Sequence, residues 1–211
     1  MKKKISIVDY GLGNIVSAKQ SFLRVIEEKN LNAEVVISKN PSEILESSHI
    51  VLPGQGAFKS CIEGLKNISG MISALEEAVI KDKKPFLGIC VGMQLLANLS
   101  YEKGEHKGLG WIQGSIKKIN FKKIKLPHMG WNNVKMINNN YKMKFTNEDK
   151  DFYFVHSYFF DCINQKNIVA KTNYGLVFPS IVAKENIYGV QFHPEKSSTQ
   201  GMELIKNFLV L

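Results

Sequence analysis

The stretch Pro85–Leu99, PFLGICVGMQLLANL, decides the fold. It opens as a short apolar run, Pro85-Phe86-Leu87, and ends in a helical pattern of Met93, Leu95, Leu96 and Leu99. Between them lies Gly88-Ile89-Cys90-Val91-Gly92. Glycine two residues before and two after a nucleophilic side chain marks a nucleophile elbow, a strand that turns sharply into a helix, here with Cys in place of Ser. The turn holds the central residue in a strained backbone conformation, and a β-carbon at either flank would meet the neighbouring chain. The thiol then sits at a helix N-terminus, where free N–H groups and the dipole favour the reactive thiolate. The competing reading is an inert buried thiol on a Gly-rich strand exit, since free Cys is among the most buried residue types.

Upstream, the chain alternates strand and helix signals. Lys4–Asp9 reads as a first strand, and Tyr10-Gly11-Leu12-Gly13-Asn14 as a Gly-rich turn into a helix over Ile15–Lys29. A lone Gly-x-Gly lacks the third glycine of a dinucleotide fingerprint, so no nucleotide site is assigned. Ala33–Ile37 is a second strand, Asn40-Pro41-Ser42-Glu43 a capped helix start, and His49–Leu52 a third strand. That strand runs into Pro53-Gly54-Gln55-Gly56-Ala57-Phe58, with helical patterning through Lys66 and over Met71–Lys81. Pro85–Ile89 is the fourth strand. This rhythm predicts an α/β fold: a mostly parallel central sheet with helices on both faces. Functional residues in such sheets gather at the carboxyl ends of the strands, so Gly11, Gly54, Gly56 and Cys90 are expected at one edge.

Downstream of Ser100 the texture changes. Ser115–Phe121, Asn133–Ile137, Asp151–His156, Ile168–Asn173 and Ile181–Ala183 are short, β-prone segments between turns, which predicts an antiparallel extension of the sheet. Asn138–Asn140 and Thr146–Lys150 read as loops. A last strand, Ile187–Phe192, runs into His193-Pro194-Glu195-Lys196-Ser197, and Met202–Leu211 reads as a helix. No linker or repeat divides the 211 residues, so one domain over 1–211 is expected.

Bulk composition narrows the function classes. Hydrophobic residues make up 44% and charged residues 22%, ordinary for a soluble globular chain. No run approaches the roughly 18 apolar residues of a membrane span. Cys61, Cys90 and Cys162 have no C-x-x-C spacing, so neither a disulfide framework nor a zinc site is indicated, and a reducing cytoplasmic compartment is expected. The net charge of +9 raises nucleic-acid binding. The excess is almost all Lys, with Arg24 the single arginine, and base recognition leans on Arg. The one cluster, Lys117, Lys118, Lys122, Lys123 and Lys125, reads as a solvated face or a protein-docking patch.

A thiol nucleophile needs a base, and the base needs an orienter. In an extended segment His193 and Glu195 would point to the same side, roughly 7 Å apart at about 3.3 Å per residue. A carboxylate spans that gap, and Pro194 stiffens it. A surface His and Glu in a loop is the alternative, and a metal reading lacks a third ligand. Acyl transfer also needs donors for a developing oxyanion: Pro53-Gly54-Gln55-Gly56 and the Val91 N–H are the candidates.

GICVGMQLL, VLPGQGAF and GVQFHPEKS together resemble the class I, triad-type glutamine amidotransferases. DYGLGN (Asp9–Asn14), PHMGWN (Pro127–Asn132) and FVHSY (Phe154–Tyr158) narrow the resemblance to their imidazole glycerol phosphate synthase branch. It runs in chain order from residue 5 to the C-terminus. The resemblance implies Cys90 as nucleophile, His193 as general acid/base and Glu195 as its orienter. It implies an oxyanion loop at Gly54, Gln55 and Gly56, with Gln55 where Val is usual, and Gln94 lining a glutamine pocket. It implies no cofactor or metal. The implied partner is a (βα)8-barrel cyclase that consumes the ammonia, met at Trp131 and Lys196; a core Trp and a solvated Lys are the plain alternatives. His156 and Tyr158 are expected near the site, His156 in a structural role. Paralogues that feed ammonia to a sugar amidotransferase form the rival reading.

Overall fold

The computed structural model describes residues 2–120, 124–145 and 148–211. Strand β1 (Lys3–Val8) turns into α1 (Ile15–Glu28), followed by β2 (Ala33–Ser38), α2 (Pro41–Glu46), β3 (His49–Gly54) and α3 (Phe58–Asn67). Then come α4 (Met71–Leu75), continued by a wider helical turn over Glu76–Lys81, β4 (Phe86–Cys90) and α5 (Val91–Gln94). The remainder holds β5 (Leu99–Ser100), β6 (His106–Lys107), β7 (Gly114–Lys118), β8 (His128–Met136), β9 (Lys150–His156) and β10 (Tyr158–Cys162). After these come β11 (Ile168–Tyr174), β12 (Leu176–Lys184), β13 (Ile187–Val190) and α6 (Ser198–Leu209).

The main sheet has the order β2-β1-β3-β4-β13-β12-β11-β8-β9. Its first five strands are parallel and the rest antiparallel, which is the expected α/β sheet with an antiparallel extension. Strands β3, β4 and β13 are buried at every residue, as near-continuous apolar runs covered on both faces must be. Their neighbouring carboxyl ends are what positions the site.

The structure departs from the sequence reading in three places. Helix α5 is a single turn, where Met93–Leu99 suggested a longer helix. The carbonyls of Leu95, Leu96, Ala97 and Asn98 accept the N–H groups of Leu109, Ile112, Gly110 and Gly108, so they cannot propagate a helix. Second, β7 leaves the extension and joins a separate sheet of order β10-β7-β5-β6, with β10 a strand that the sequence reading did not mark. Third, β8 starts at His128, so all of PHMGWN but Pro127 lies on a strand; Gly130, at φ +130°, interrupts the alternation that marks strands. Phe121, Lys122, Lys123, Thr146 and Asn147, named in segments above, lie outside the described residues. Of the rest of the lysine cluster, Lys117 pairs with Asp161 at 2.6 Å. Among the described residues no helix is long and apolar enough to cross a membrane.

The elbow explains its own glycines. A β-carbon on Gly88 would stand 2.6 Å from the Gly92 carbonyl oxygen, and one on Gly54 would stand 2.6 Å from the Gly92 nitrogen. One on Gly92 would overlap the Leu52 carbonyl oxygen. The replacement Gly92→Ala therefore forces β3 and α5 apart and is expected to destabilise the fold by about 1–3 kcal/mol. Gly11→Ala, at φ +86° but facing open space, meets only backbone strain of about 1–2 kcal/mol. Thermal unfolding of both variants checks this, with the larger loss expected in Gly92→Ala.

Candidate active site

Cys90 ends β4 with φ +56° and ψ −110°, a conformation L-residues rarely adopt. The strain is what the sharp strand-to-helix turn demands. Cys90 is 4% exposed and opens into a cleft of about 270 Å³. Gln55, Gly56, Val91, Gln94, Glu102, Pro127, His156, Tyr158 and His193 also line it. The volume lies just under the ~300–1,000 Å³ of drug-sized sites, so it suits an amino acid better than a nucleotide.

Strands β3 and β13 flank β4 on either side, and Gly54 is in register with Cys90. The three adjacent strand ends therefore deliver the Gly-rich loop, the thiol and the imidazole together. His193 Nδ1 and Glu195 Oε1 are 2.8 Å apart, both side chains buried. A tight 3-10 turn over Pro194–Lys196 brings them together, where the sequence reading assumed an extended segment. Pro194 opens that turn with its fixed φ. The His193 backbone is clamped: its N–H donates to the Tyr153 carbonyl at 2.9 Å, and its carbonyl accepts from Ser197 Oγ at 2.6 Å. His193 Nε2 is buried and has no hydrogen-bond partner among the described residues. Burial works against the His193 cation, but the Cys90 sulfur and the Glu195 carboxylate outweigh it and raise the imidazole to about 10.

The Gly-rich loop is braced from behind. The Tyr10 hydroxyl donates to the Pro53 carbonyl at 2.7 Å, and the Cys61 thiol donates to the Gln55 carbonyl at 3.4 Å. Burial, with the nearby Cys61, pushes the Tyr10 phenol far up, which keeps it a donor. The Gly-x-Gly turn set aside as a phosphate loop packs here too: the space for a Gly13 β-carbon ends 3.3 Å from the Pro53 carbonyl oxygen. Glu102 Oε2 accepts the Phe58 N–H at 2.7 Å and caps α3 where the loop ends. Val91 opens α5, so its N–H has no partner within that helix.

Gln94 is buried, and its Nε2 donates to the Tyr158 carbonyl at 3.0 Å and to Gln191 Oε1 at 3.1 Å. Gln191 was not singled out from sequence, yet its Nε2 lies 3.9 Å from the Cys90 sulfur. Its position three residues after Tyr188 on an apolar strand gives no polar signal. Glu102 comes from a segment with no motif of its own, and His128, although inside the quoted PHMGWN motif, was given no role there. Trp131 is 53% exposed, so the core alternative fails for it, and Lys196 is exposed with Nζ 5.8 Å above the Tyr153 ring. Met129, 62% exposed, lies on the same strand. Trp131 and Tyr153 pack edge to face at 6.2 Å, so this apolar ridge borders the segment that carries His193. Among the described residues no cluster of His, Cys, Asp and Glu could hold a metal ion.

Residues 7–211 match the family described as glutamine amidotransferase class-I. The imidazole glycerol phosphate synthase subunit HisH of Pelagibacter ubique is 46% identical, over 98% of this chain and 99% of that protein. The subunit of the same name from Bdellovibrio bacteriovorus is 48% identical, over 97% of this chain and 98% of that protein. A crystal structure of a glutamine amidotransferase superposes with a TM-score of 0.71 at 14% identity, covering 98% of this chain and 97% of that one, and speaks for the fold alone. With Cys90 on its elbow, the buried imidazole–carboxylate pair beside it and a family match spanning nearly every residue, this chain belongs to the class-I glutamine amidotransferases.

Proposed function

We propose that the cleft hydrolyses L-glutamine to glutamate and ammonia, and that the ammonia serves imidazole glycerol phosphate formation in histidine biosynthesis. The observation that carries this is the meeting of a strained thiol and a buried His–Glu pair at adjacent strand ends, in a cavity of amino-acid size. Cys90 sulfur attacks the γ-amide carbon, forming a C–S bond while the carbonyl oxygen takes up charge. The Val91 N–H and the backbone of the Gly54-Gln55-Gly56 loop are the donors assigned to that oxygen. His193 passes its proton to the departing nitrogen as the C–N bond breaks, and ammonia leaves. Water then adds to the thioester, His193 takes the proton from it, and glutamate departs with the thiol restored. Gln94 bounds the pocket, and Glu102 places negative charge where a substrate ammonium would sit.

The relatives above are named as subunits, so a partner takes up the ammonia. We assign that partner as a (βα)8-barrel cyclase, seated on the ridge of Met129, Trp131, Tyr153 and Lys196. Large exposed apolar side chains grouped beside a catalytic segment fit a docking surface better than a solvated face. The three free, buried thiols fit a reducing, cytoplasmic compartment. The sugar-amidotransferase reading gains no support from the two relatives, both named for imidazole glycerol phosphate synthase.

A glutamine-analogue electrophile is expected to label Cys90 alone, and Cys90→Ala to lose all hydrolysis; substantial turnover in that variant overturns the chemistry. Expression in a histidine auxotroph lacking this subunit is expected to restore growth; failure despite soluble expression sinks the assignment of the acceptor. The pH profile tests the base. His193 is raised in the fold, so its cation stabilises the structure fully below the ordinary imidazole value and that contribution is lost as pH rises through about 10. Glu195→Gln removes one of the two groups that hold the cation. It is expected to lower kcat by about 10²–10⁴-fold and to move the alkaline limb of kcat/KM to lower pH.

A further inference from the structure

A buried chain of hydrogen bonds runs from the glutamine pocket to strand β8. The Tyr158 carbonyl accepts from Gln94 Nε2 at 3.0 Å and from His156 Nδ1 at 2.8 Å. A carbonyl only accepts, so His156 carries its proton on Nδ1, and its Nε2 is an acceptor. That nitrogen lies 2.9 Å from His128 Nδ1, which must then be the donor. His128 Nε2 is left as an acceptor, and Asn132 Nδ2 donates to it at 3.1 Å. The Asn132 amide is itself oriented, donating to the Asn173 carbonyl at 3.0 Å and accepting the Asn133 N–H at 2.8 Å. Every proton in the chain is thereby assigned.

The surroundings hold both rings in place. His128 is stacked between Tyr174, centroids 4.0 Å apart, and Phe154, 4.7 Å apart. His156 meets the Phe178 ring edge to face at 5.0 Å. Burial depresses both imidazoles, His128 to about 4 and His156 to about 3, so both are neutral, as the chain requires. Neither ring contacts the reacting sulfur in the scheme above, and neither is a solvent-facing loop histidine.

We propose that His128 and His156 are positioning residues for the glutamine pocket, a tautomer-locked imidazole pair that fixes the Tyr158 carbonyl and, through it, the side-chain amide of Gln94. The pair joins the strand of the exposed Met129 and Trp131 to the wall of the cleft. This proposal rests on reading the cleft as the glutamine site.

Two substitutions separate hydrogen bonding from packing. His128→Phe keeps the stacked ring and removes the donor to His156. His128→Asn keeps a donor near the Nδ1 position and removes the ring. With the partner subunit present, His128→Phe is expected to raise KM for glutamine about tenfold, the size of leaving one buried acceptor unpaired. Its kcat is expected to stay within about twofold of the wild type, and His128→Asn to recover most of the lost KM. An unchanged KM in His128→Phe, or a larger loss in His128→Asn than in His128→Phe, overturns the proposal. Nitrogen-15 spectra of the histidine-labelled wild-type chain at neutral pH read the pair without reference to any substrate. Protonated Nδ1 and bare Nε2 on both rings are expected, and the reverse tautomer on His156 overturns the relay. A wild-type chain with correct tautomers but no glutamine turnover overturns the glutamine reading of the cleft, and with it the role assigned to the pair.

Discussion

The site depends on one close approach: the backbone of α5 lies against the carboxyl end of β3. Leu52, Pro53 and Gly54 are in van der Waals reach of Val91 and Gly92, with no room for a β-carbon on Gly92 or Gly54. Dense interiors do not absorb an extra methyl without moving something. Because these two backbones touch, the loop after β3 and the turn after β4 share one lip. The positive φ of Cys90 is the other half of the same constraint, since only a sharp reversal lets α5 fold back over β3.

The second requirement is electrostatic. His193 and Glu195 are buried, and an unpaired buried charge would be costly. The Glu195 carboxylate paired with Nδ1, together with the influence of the nearby Cys90 sulfur, keeps a proton at the ring despite the burial. Ser197 contributes by holding the backbone: its hydroxyl donates to the His193 carbonyl and accepts the Tyr153 N–H at 3.0 Å, tying the 3-10 turn to β9. The imidazole thus has one orientation, set by strand, turn and clamp together.

Much of this was legible in the residues. The first four parallel strands, the elbow, the Gly-rich loop and the His-x-Glu segment are carried by local signals: apolar runs, glycines at fixed spacing, and Asn40, whose side chain accepts the Ser42 N–H at the start of α2. What escaped was decided by distant partners. The length of α5 was set by N–H groups from residues 108–112, which no pattern within 85–99 announces. The division of β7 and β10 into their own sheet came from pairing with β5 and β6, two-residue strands below any periodicity. The His193–Glu195 contact was expected, but from a different backbone geometry. Gln191 and His128 act through neighbours far away in sequence, and a lone polar residue on a buried strand does not say what it faces.

The sheet order also bears on how the molecule comes together. β13 is wedged between β4 and β12, and its parallel register with β4, which sets Ile187 against Phe86, spans 101 residues. Such long-range parallel pairing forms late, because loop closure precedes its reward. Until that wedge is driven home, sulfur and imidazole belong to separate halves of an unfinished sheet. A chain in which β13 has not docked beside β4 therefore lacks the assembled site.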